Sequence, residues 1–449
     1  MTLFLGVLVI VAAVVAVMRR VDVRLALLLA ALALGALGDN VALILRTFFQ
    51  TFCREQFVVP ICCATGFGFV LRHTGCDQHL VHLLVRPIKH VRFLLVPGTV
   101  LVGFLVNIPL ISQVGTAVTI GTVLVPLLRR SGISPITTGS ALLLGASLGG
   151  DLLNPGAPEW RTVCSVIPFT KGSDCVRAVF PLQLVQLLTA TAVYWALSRR
   201  EEARHRKEME ARSPEGEEES PAFRVNLFKA AVPLVPLVLL FLVSPPLGPL
   251  SVHEYWLTDV SSKADADNFE SRLIGAAMLI GVAAAAAASW RKAFESARVF
   301  CEGAGYGLTH IISIIVAAAC FGKGVELLGV GELLLRTVDE HHWLLLPIAG
   351  AVPLAFAALC GSGMATTQSL FALFVEPARS AGLNPLHVGA VVAIAASAGR
   401  TMSPVAAVTL LSATLTSTNP LSLVRRTVLP LLIALGTTLV VAIVMAGWK

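Results

Sequence analysis

Charge is what this sequence has least of. Only 14% of its 449 residues are Asp, Glu, Lys or Arg, against about a quarter in soluble domains. With 56% hydrophobic residues and a mean hydropathy of +0.80, that shortage excludes an ordinary water-soluble domain. Cysteine lacks pattern rather than number: there are nine, with no CxxC pair, most of them inside apolar runs such as those holding Cys62, Cys63, Cys320 and Cys360. They read as small packing residues and exclude a disulfide framework or a thiolate metal site. No HExxH and no nucleophile elbow is present, which argues against an intramembrane enzyme. His79 and His82, three apart in a basic loop, read as a solvated face and not as a metal site. The net charge of +7 suits basic cytoplasmic loops, and no nucleic-acid patch accompanies it. No basic residue precedes the first apolar run; Arg19, Arg20 and Arg24 follow it. That order predicts a first membrane helix with its N-terminus outside, not a cleaved signal peptide.

What is abundant is apolar length. Runs at 2–18, 25–38, 56–71, 176–197, 227–243, 273–289, 303–321 and 427–447 predict an all-α polytopic membrane protein. One long polar stretch, 198–224, is rich in mixed charge with Pro and Ser and reads as a solvated linker. It divides the chain near its midpoint.

The halves repeat. Residues 91–150 slide onto 341–400 without gaps, matching Pro97 to Pro347, Ser112 to Ser362, Thr116 to Thr366, Arg129 to Arg379, Pro135 to Pro385 and Gly149 to Gly399. Leucine and valine match by chance in apolar segments; Pro, Gly, Ser, Thr and Arg in one register do not. Each copy has an apolar helix, a polar tip ("NIPLISQVGT" at 107–116; "LCGSGMATTQS" at 359–369), a short apolar return, and a helix broken at "ASLGGDLLNP" (146–155) or "ASAGRTMSP" (396–404). The shortness of the arms predicts two re-entrant helical hairpins and two discontinuous helices. Arg86, Lys89, Arg92, Arg129 and Arg130 bracket the first hairpin; Asp339, Glu340 and Glu376 bracket the second. Positive-inside reasoning therefore sets the two copies in opposite orientations, with the linker cytoplasmic and the acidic loop 245–271 outside. Lys171 and Arg177 fall outside and are a mild violation. The organisation expected is a first repeat over 1–198 (scaffold helices 1–90, hairpin and broken helix 91–175, helix 176–198) and a charged cytoplasmic linker over 199–224. A second repeat follows over 225–449 (scaffold helices 225–340, hairpin and broken helix 341–418, helix 427–447).

Unwound backbone at membrane depth costs several kcal/mol per unsatisfied group unless protein or a hydrated cavity receives it. Four such points built by one repeat predict a solute site of the secondary-transporter kind, where half-helix N-termini face an anion. The tips and breaks carry compact neutral hydrogen-bonders: Ser112, Gln113, Thr116, Asn154, Ser362, Thr366, Thr367, Gln368, Ser397, Thr401 and Ser403. Taken singly, each could equally serve packing or a bond back to its helix. Gly149, Gly150, Gly361, Gly363 and Gly399 would permit the tip and break geometries. Arg400 is the sharpest candidate, because an arginine at membrane depth marks a pathway or a buried pair. Its planar fork matches a substrate carboxylate; the other reading pairs it permanently with Asp151, one position beyond its symmetric counterpart. Asp151 and Glu159 are candidate sites for a coupling H+ or Na+.

The segments "NIPLISQVGTAVTIGTVLVPLLRR", "GASLGGDLLNPGAPEW", "GSGMATTQSLFALFVEPA" and "SAGRTMSP" resemble the DcuC family of anaerobic C4-dicarboxylate carriers, within the ion transporter superfamily. The resemblance covers most of the chain, without the linker and loop 245–271. It implies a homodimer in the bacterial inner membrane, with a scaffold and an elevator-like transport domain. It also implies uptake, exchange or efflux of fumarate, malate, succinate or aspartate without an organic cofactor. The strict Ser-Asn-Thr order of superfamily tips is missing here, which leaves the coupling ion open. Another organic anion, such as a hydroxy-acid or an aminoacyl conjugate, is the nearest competing cargo; a channel fits the repeat less directly.

Overall fold

The computed structural model describes every residue except 1, 20, 88–90, 169, 211–223, 244–251, 260–264, 266–267, 330–334, 337–339 and 447–449. Arg20, Lys89, Lys263, Asp339 and linker residues 211–223 thus lie outside the described residues. All regular structure described is helical, and seven of these helical segments are long and apolar enough to cross a membrane.

The first half runs α1 (Thr2–Met18), α2 (Val23–Leu37), α3 (Val41–Phe52), α4 (Glu55–Thr74) and α5 (Cys76–Val85). It continues with α6 (Leu95–Leu110), α7 (Gln113–Arg130), α8 (Pro135–Ser147), α9 (Pro158–Val166) and α10 (Gly172–Glu210). The second half has α11 (Leu227–Ala231), α12 (Val235–Val243), α13 (Phe269–Ala288), α14 (Trp290–Gly307) and α15 (Ser313–Leu327). Then come α16 (Leu345–Cys360), α17 (Gly363–Leu370), α18 (Val375–Ser380), α19 (Pro385–Thr401), α20 (Ala407–Thr416) and α21 (Pro420–Met445).

The 250-residue offset is visible in the helix starts. Ser134 caps α8 and Asn384 caps α19, each followed by proline at the first helical position, the combination that satisfies an orphan N–H and pre-sets φ. Helix α6 folds back on α7, and α16 on α17. Beyond the breaks the halves interlock: α20 packs on α7 and α8, α9 packs on α17, and α10 lies along α21. The polar-to-apolar layering follows. Nearly all of α8 and α19 is buried, while α21 leaves Leu429, Leu432, Val440 and Val444 exposed, a face suited to hydrocarbon. Helices α4, α13 and α14 pack together, as do α2, α3 and α15.

Four expectations are refined or corrected. The second break, expected within 396–404, falls at the end of that stretch: α19 runs through Thr401, so Arg400 sits in a helix's last turn. The first proline of that stretch is Pro404, and proline disfavours the helical backbone of the residue before it. In the first half Gly149 at φ 94° ends the helix earlier. The final helix starts at Pro420 rather than 427 because Asn419 caps it there. The linker's first part, to Glu210, is a continuation of α10. The run 303–321 belongs to two helices joined through a π turn at Leu308–Ile312.

Candidate functional site

At the first tip the chain turns through Ile111, φ 57°, and at the second through Gly361, φ 73°. These are the same position of the repeat, so both tips reverse with one left-handed residue. Ser112 and Ser362 then cap the next helices, accepting from Gly115 N at 3.1 Å and Ala365 N at 3.2 Å. The first residues of α7, α9, α17 and α20 all line one cavity of about 180 Å³. Four helix N-termini therefore face one space, each with about half a positive charge. The helices α9 and α20 have no side-chain cap, which leaves their first N–H groups without a side-chain acceptor. The opposite wall is supplied by α4 (Ile61, Ala64, Thr65) and by Tyr306, His310 and Ile311 around the π turn.

Arg400 lines the same cavity. Its Nε donates to Ser147 Oγ at 3.2 Å and one terminal nitrogen to Ser147 O at 3.0 Å. Thr401 Oγ1 contacts Ser147 Oγ at 2.8 Å and Ser147 O at 2.9 Å. The other terminal nitrogen is 3.9 Å from Asp151 Oδ2, an ion pair without a hydrogen bond. A Cβ on Gly363 would lie 3.3 Å from that nitrogen, so the glycine leaves the guanidinium its space.

Asp151 is held from elsewhere. Its N–H donates to Asn107 Oδ1 at 3.0 Å, Gln113 Nε2 donates to Oδ2, and Oδ1 has no partner among the described residues. Asn107 Nδ2 reaches Thr116 Oγ1 at 3.4 Å. Charges about 4 Å apart attract by about 4 kcal/mol at an effective dielectric of about 20, against several kcal/mol of desolvation for each buried ion. The attraction alone therefore does not repay the desolvation of both ions, and the pair is not a tight one.

The break registers explain why these two charges meet. A Cβ on Gly150 would collide with the carbonyl oxygen of Phe104, and one on Gly399 with that of Leu354. Phe104 and Leu354 are counterparts at the 250-residue offset, whereas Gly150 and Gly399 differ from it by one. The left-handed Gly149 absorbs that residue. In space Asp151 thus corresponds to Arg400 itself, not to its neighbour: the repeat carries an acid at one break and a base at the other.

Of the residues singled out in the sequence, Ser112, Gln113, Ser362, Gly363 and Arg400 line the cavity. Asn154 instead ties the first break together, donating to Ile108 O at 2.9 Å and accepting from Gly156 N at 2.9 Å. Thr366 and Thr367 bond back to Ser362 O and Gly363 O, and Ser397 to Ile394 O. Ser403 is buried, its Oγ without a partner among the described residues, beside Gly361. Glu159 is buried, its Oε2 without a partner among the described residues, within electrostatic reach of Asp151 and Arg400. Gln368 lies in a different, larger cavity. Sequence reasoning missed Ser147, Asn107, Tyr306, His310 and Gln183, whose Nε2 donates to Leu148 O at 2.7 Å. Ser147 and Asn107 lay inside the quoted motifs; the others sit in helices with no local mark. No group of three or more potential metal ligands occurs among the described residues.

Comparison with known proteins fits this picture. Residues 55–447 match the DcuC family, described as C4-dicarboxylate anaerobic carrier. The probable anaerobic C4-dicarboxylate transporter DcuC of Vibrio cholerae is 22% identical over 391 residues, covering 84% of this chain and 79% of that one. The anaerobic C4-dicarboxylate transporter DcuC of Escherichia coli K12 is 22% identical over 394 residues, with 84% and 78% covered. A putative uncharacterized transporter of Haemophilus influenzae is 33% identical over 121 residues, 27% of this chain and 80% of that one. The crystal structure of the Alcanivorax borkumensis YdaH transporter shares the fold at a TM-score of 0.57 and 15% identity, over 100% of this chain and 99% of that one. The chain belongs to the DcuC family and is a multi-pass membrane transporter, not an enzyme.

Proposed function

We propose that this protein is a secondary carrier of C4-dicarboxylates (fumarate, malate, succinate or aspartate) in the bacterial inner membrane, working by uptake, exchange or efflux. The observation that carries the reading is Arg400 in a small cavity faced by four helix N-termini, with Asp151 at 3.9 Å and, among the described residues, no carboxylate hydrogen-bonded to it. One substrate carboxylate takes the free side of the guanidinium and the helix N–H groups. Ser112, Gln113, Ser362 and Gly363 contact the remainder. Asp151 and Glu159 are the groups for a coupling H+ or Na+.

The two helix pairs α6–α7 and α16–α17 are read as re-entrant hairpins entering from opposite faces. With α8–α10 and α19–α21 they form a transport body moving, elevator-like, against a scaffold that includes α4, α13, α14 and α15. The N-terminus is periplasmic, the linker cytoplasmic, and the assembly a homodimer.

Arg400→Ala is expected to abolish counterflow of labelled succinate in proteoliposomes while the protein stays folded and inserted. Normal rate and affinity in that variant would overturn the clamp. A panel of unlabelled anions in the same assay names the cargo.

A further inference from the structure

A second cavity, larger than the one that holds Arg400, lies nearby. A vestibule of about 890 Å³ lies between α3 and α15 on one side and α9, α17 and the feet of the second hairpin on the other. Two helices join it to the smaller site. On α17, Gly363 faces the small cavity and Gln368 the large one; on α9, Pro158 and Thr162 do the same. At 1.5 Å per residue the cavities are separated by about 6–8 Å along both helices.

The vestibule's unused polarity is one-sided. Gln368 is 8% exposed and its Nε2, a donor, has no partner among the described residues; Thr162 is 6% exposed and its Oγ1 likewise has none among them. Arg54 lines the same space, with its Nε on Gln56 Oε1 at 2.9 Å and its guanidinium 5.3 Å from the Phe57 ring. Among the described residues no carboxylate lies within ion-pair distance of it. The two acids that line the vestibule are already matched: Glu326 to Lys323 at 2.8 Å, and Glu376 to Arg379 at 2.5 Å. Buried donors left without acceptors are destabilising, and a carboxylate is the ligand that relieves them.

We propose that the vestibule is a second carboxylate-binding site, a staging post where Arg54, Gln368 and Thr162 hold the anion before it passes between α9 and α17 to Arg400. The inference rests on the carrier reading but concerns different residues. Electrostatic staging of this kind acts on capture, so it moves KM rather than the maximal rate.

The test is equilibrium binding of radiolabelled succinate to the purified full-length protein, with exchange kinetics in proteoliposomes. Wild type should bind two succinates per chain, Arg54→Gln and Arg400→Gln one each, and the double variant none. Arg54→Gln should raise KM for exchange about tenfold at an unchanged maximal rate, and Arg54→Lys should restore most of the loss. A single wild-type site that Arg400→Gln removes would overturn the staging post and leave the carrier intact. A fall in maximal rate at constant KM in Arg54→Gln would also overturn it. No succinate binding to wild type would overturn both readings.

Discussion

Ile111 and Gly361 show how one repeat position can be solved twice. A β-branched residue at positive φ is a steric outlier, costing about 1–3 kcal/mol, yet Ile111 occupies that region and is 8% exposed. Burial of its side chain, worth about 1.5–3 kcal/mol, offsets the strain. Ile111→Gly should therefore change thermal stability by less than about 1 kcal/mol. Leu110→Gly, one residue earlier at an ordinary helical position and 6% exposed, should cost about 2–5 kcal/mol. A large loss from Ile111→Gly in thermal unfolding would show that the tip is not strained. Outside the membrane segments, Asp77 on α5 accepts from Thr119 of the first hairpin at 2.9 Å, and burial pushes its carboxyl up. Burial raises this carboxyl while the Thr119 hydroxyl bond favours its ionised form. The group's net contribution to stability is therefore most favourable at low pH and declines as pH rises through the folded value, where a buried charge must be carried. Asp77→Asn should accordingly stabilise the protein at neutral pH, with a smaller gain in acid; equal melting temperatures of the two proteins across that range would count against it.

At the scale of elements, the breaks are defined by backbone approach more than by the polar residues near them. Gly399 faces the carbonyl oxygen of Leu354, and a Cβ there would also come within 2.9 Å of Ala357 Cβ. Gly399→Ala should lower stability by at least about 1–3 kcal/mol and disturb Arg400, its neighbour. Thermal melting with succinate protection measures both effects; a wild-type melt would mean that α16 and α19 can separate freely. The sequence disclosed these elements well where composition changed abruptly: both tips, both proline-initiated helices and the first break. It located the second break only within 396–404, because Gly399 looks like an interruption but is a packing glycine. The apolar runs hid α3 and α5, which are short, and merged α14 with α15, since a π turn carries no compositional mark.

At the scale of the whole molecule, one contact fastens the broken helix to the helices around α4. Arg161 on α9, 3% exposed, donates to Glu270 of α13 at 3.0 Å and to Pro155 O at 3.3 Å. Glu270 also accepts from Gly172 N at 2.7 Å. Two residues on, Arg272 is bound to Glu55 of α4 at 2.6 Å. Glu270→Ala would leave a buried guanidinium without its counter-ion, a loss of about 3–5 kcal/mol. Unfolding by denaturant should show it, and Glu270→Gln should lose distinctly less, because it keeps an acceptor. If the two variants unfold alike, the charge is not what fastens the contact.

By itself the sequence determined the medium, the two-fold internal repeat, the tips and the pair of charges, since each is written as local composition or as a register of matching residues. Only the tertiary structure decided that Asp151 and Arg400 are direct counterparts. The residue that shifts their register, Gly149, acts through a backbone angle that its identity permits but does not dictate. The same holds for Gln368 and Arg54. Their chemistry was plain in the chain, but the cavity they share is assembled from α3, α9, α15 and α17, which lie far apart in sequence.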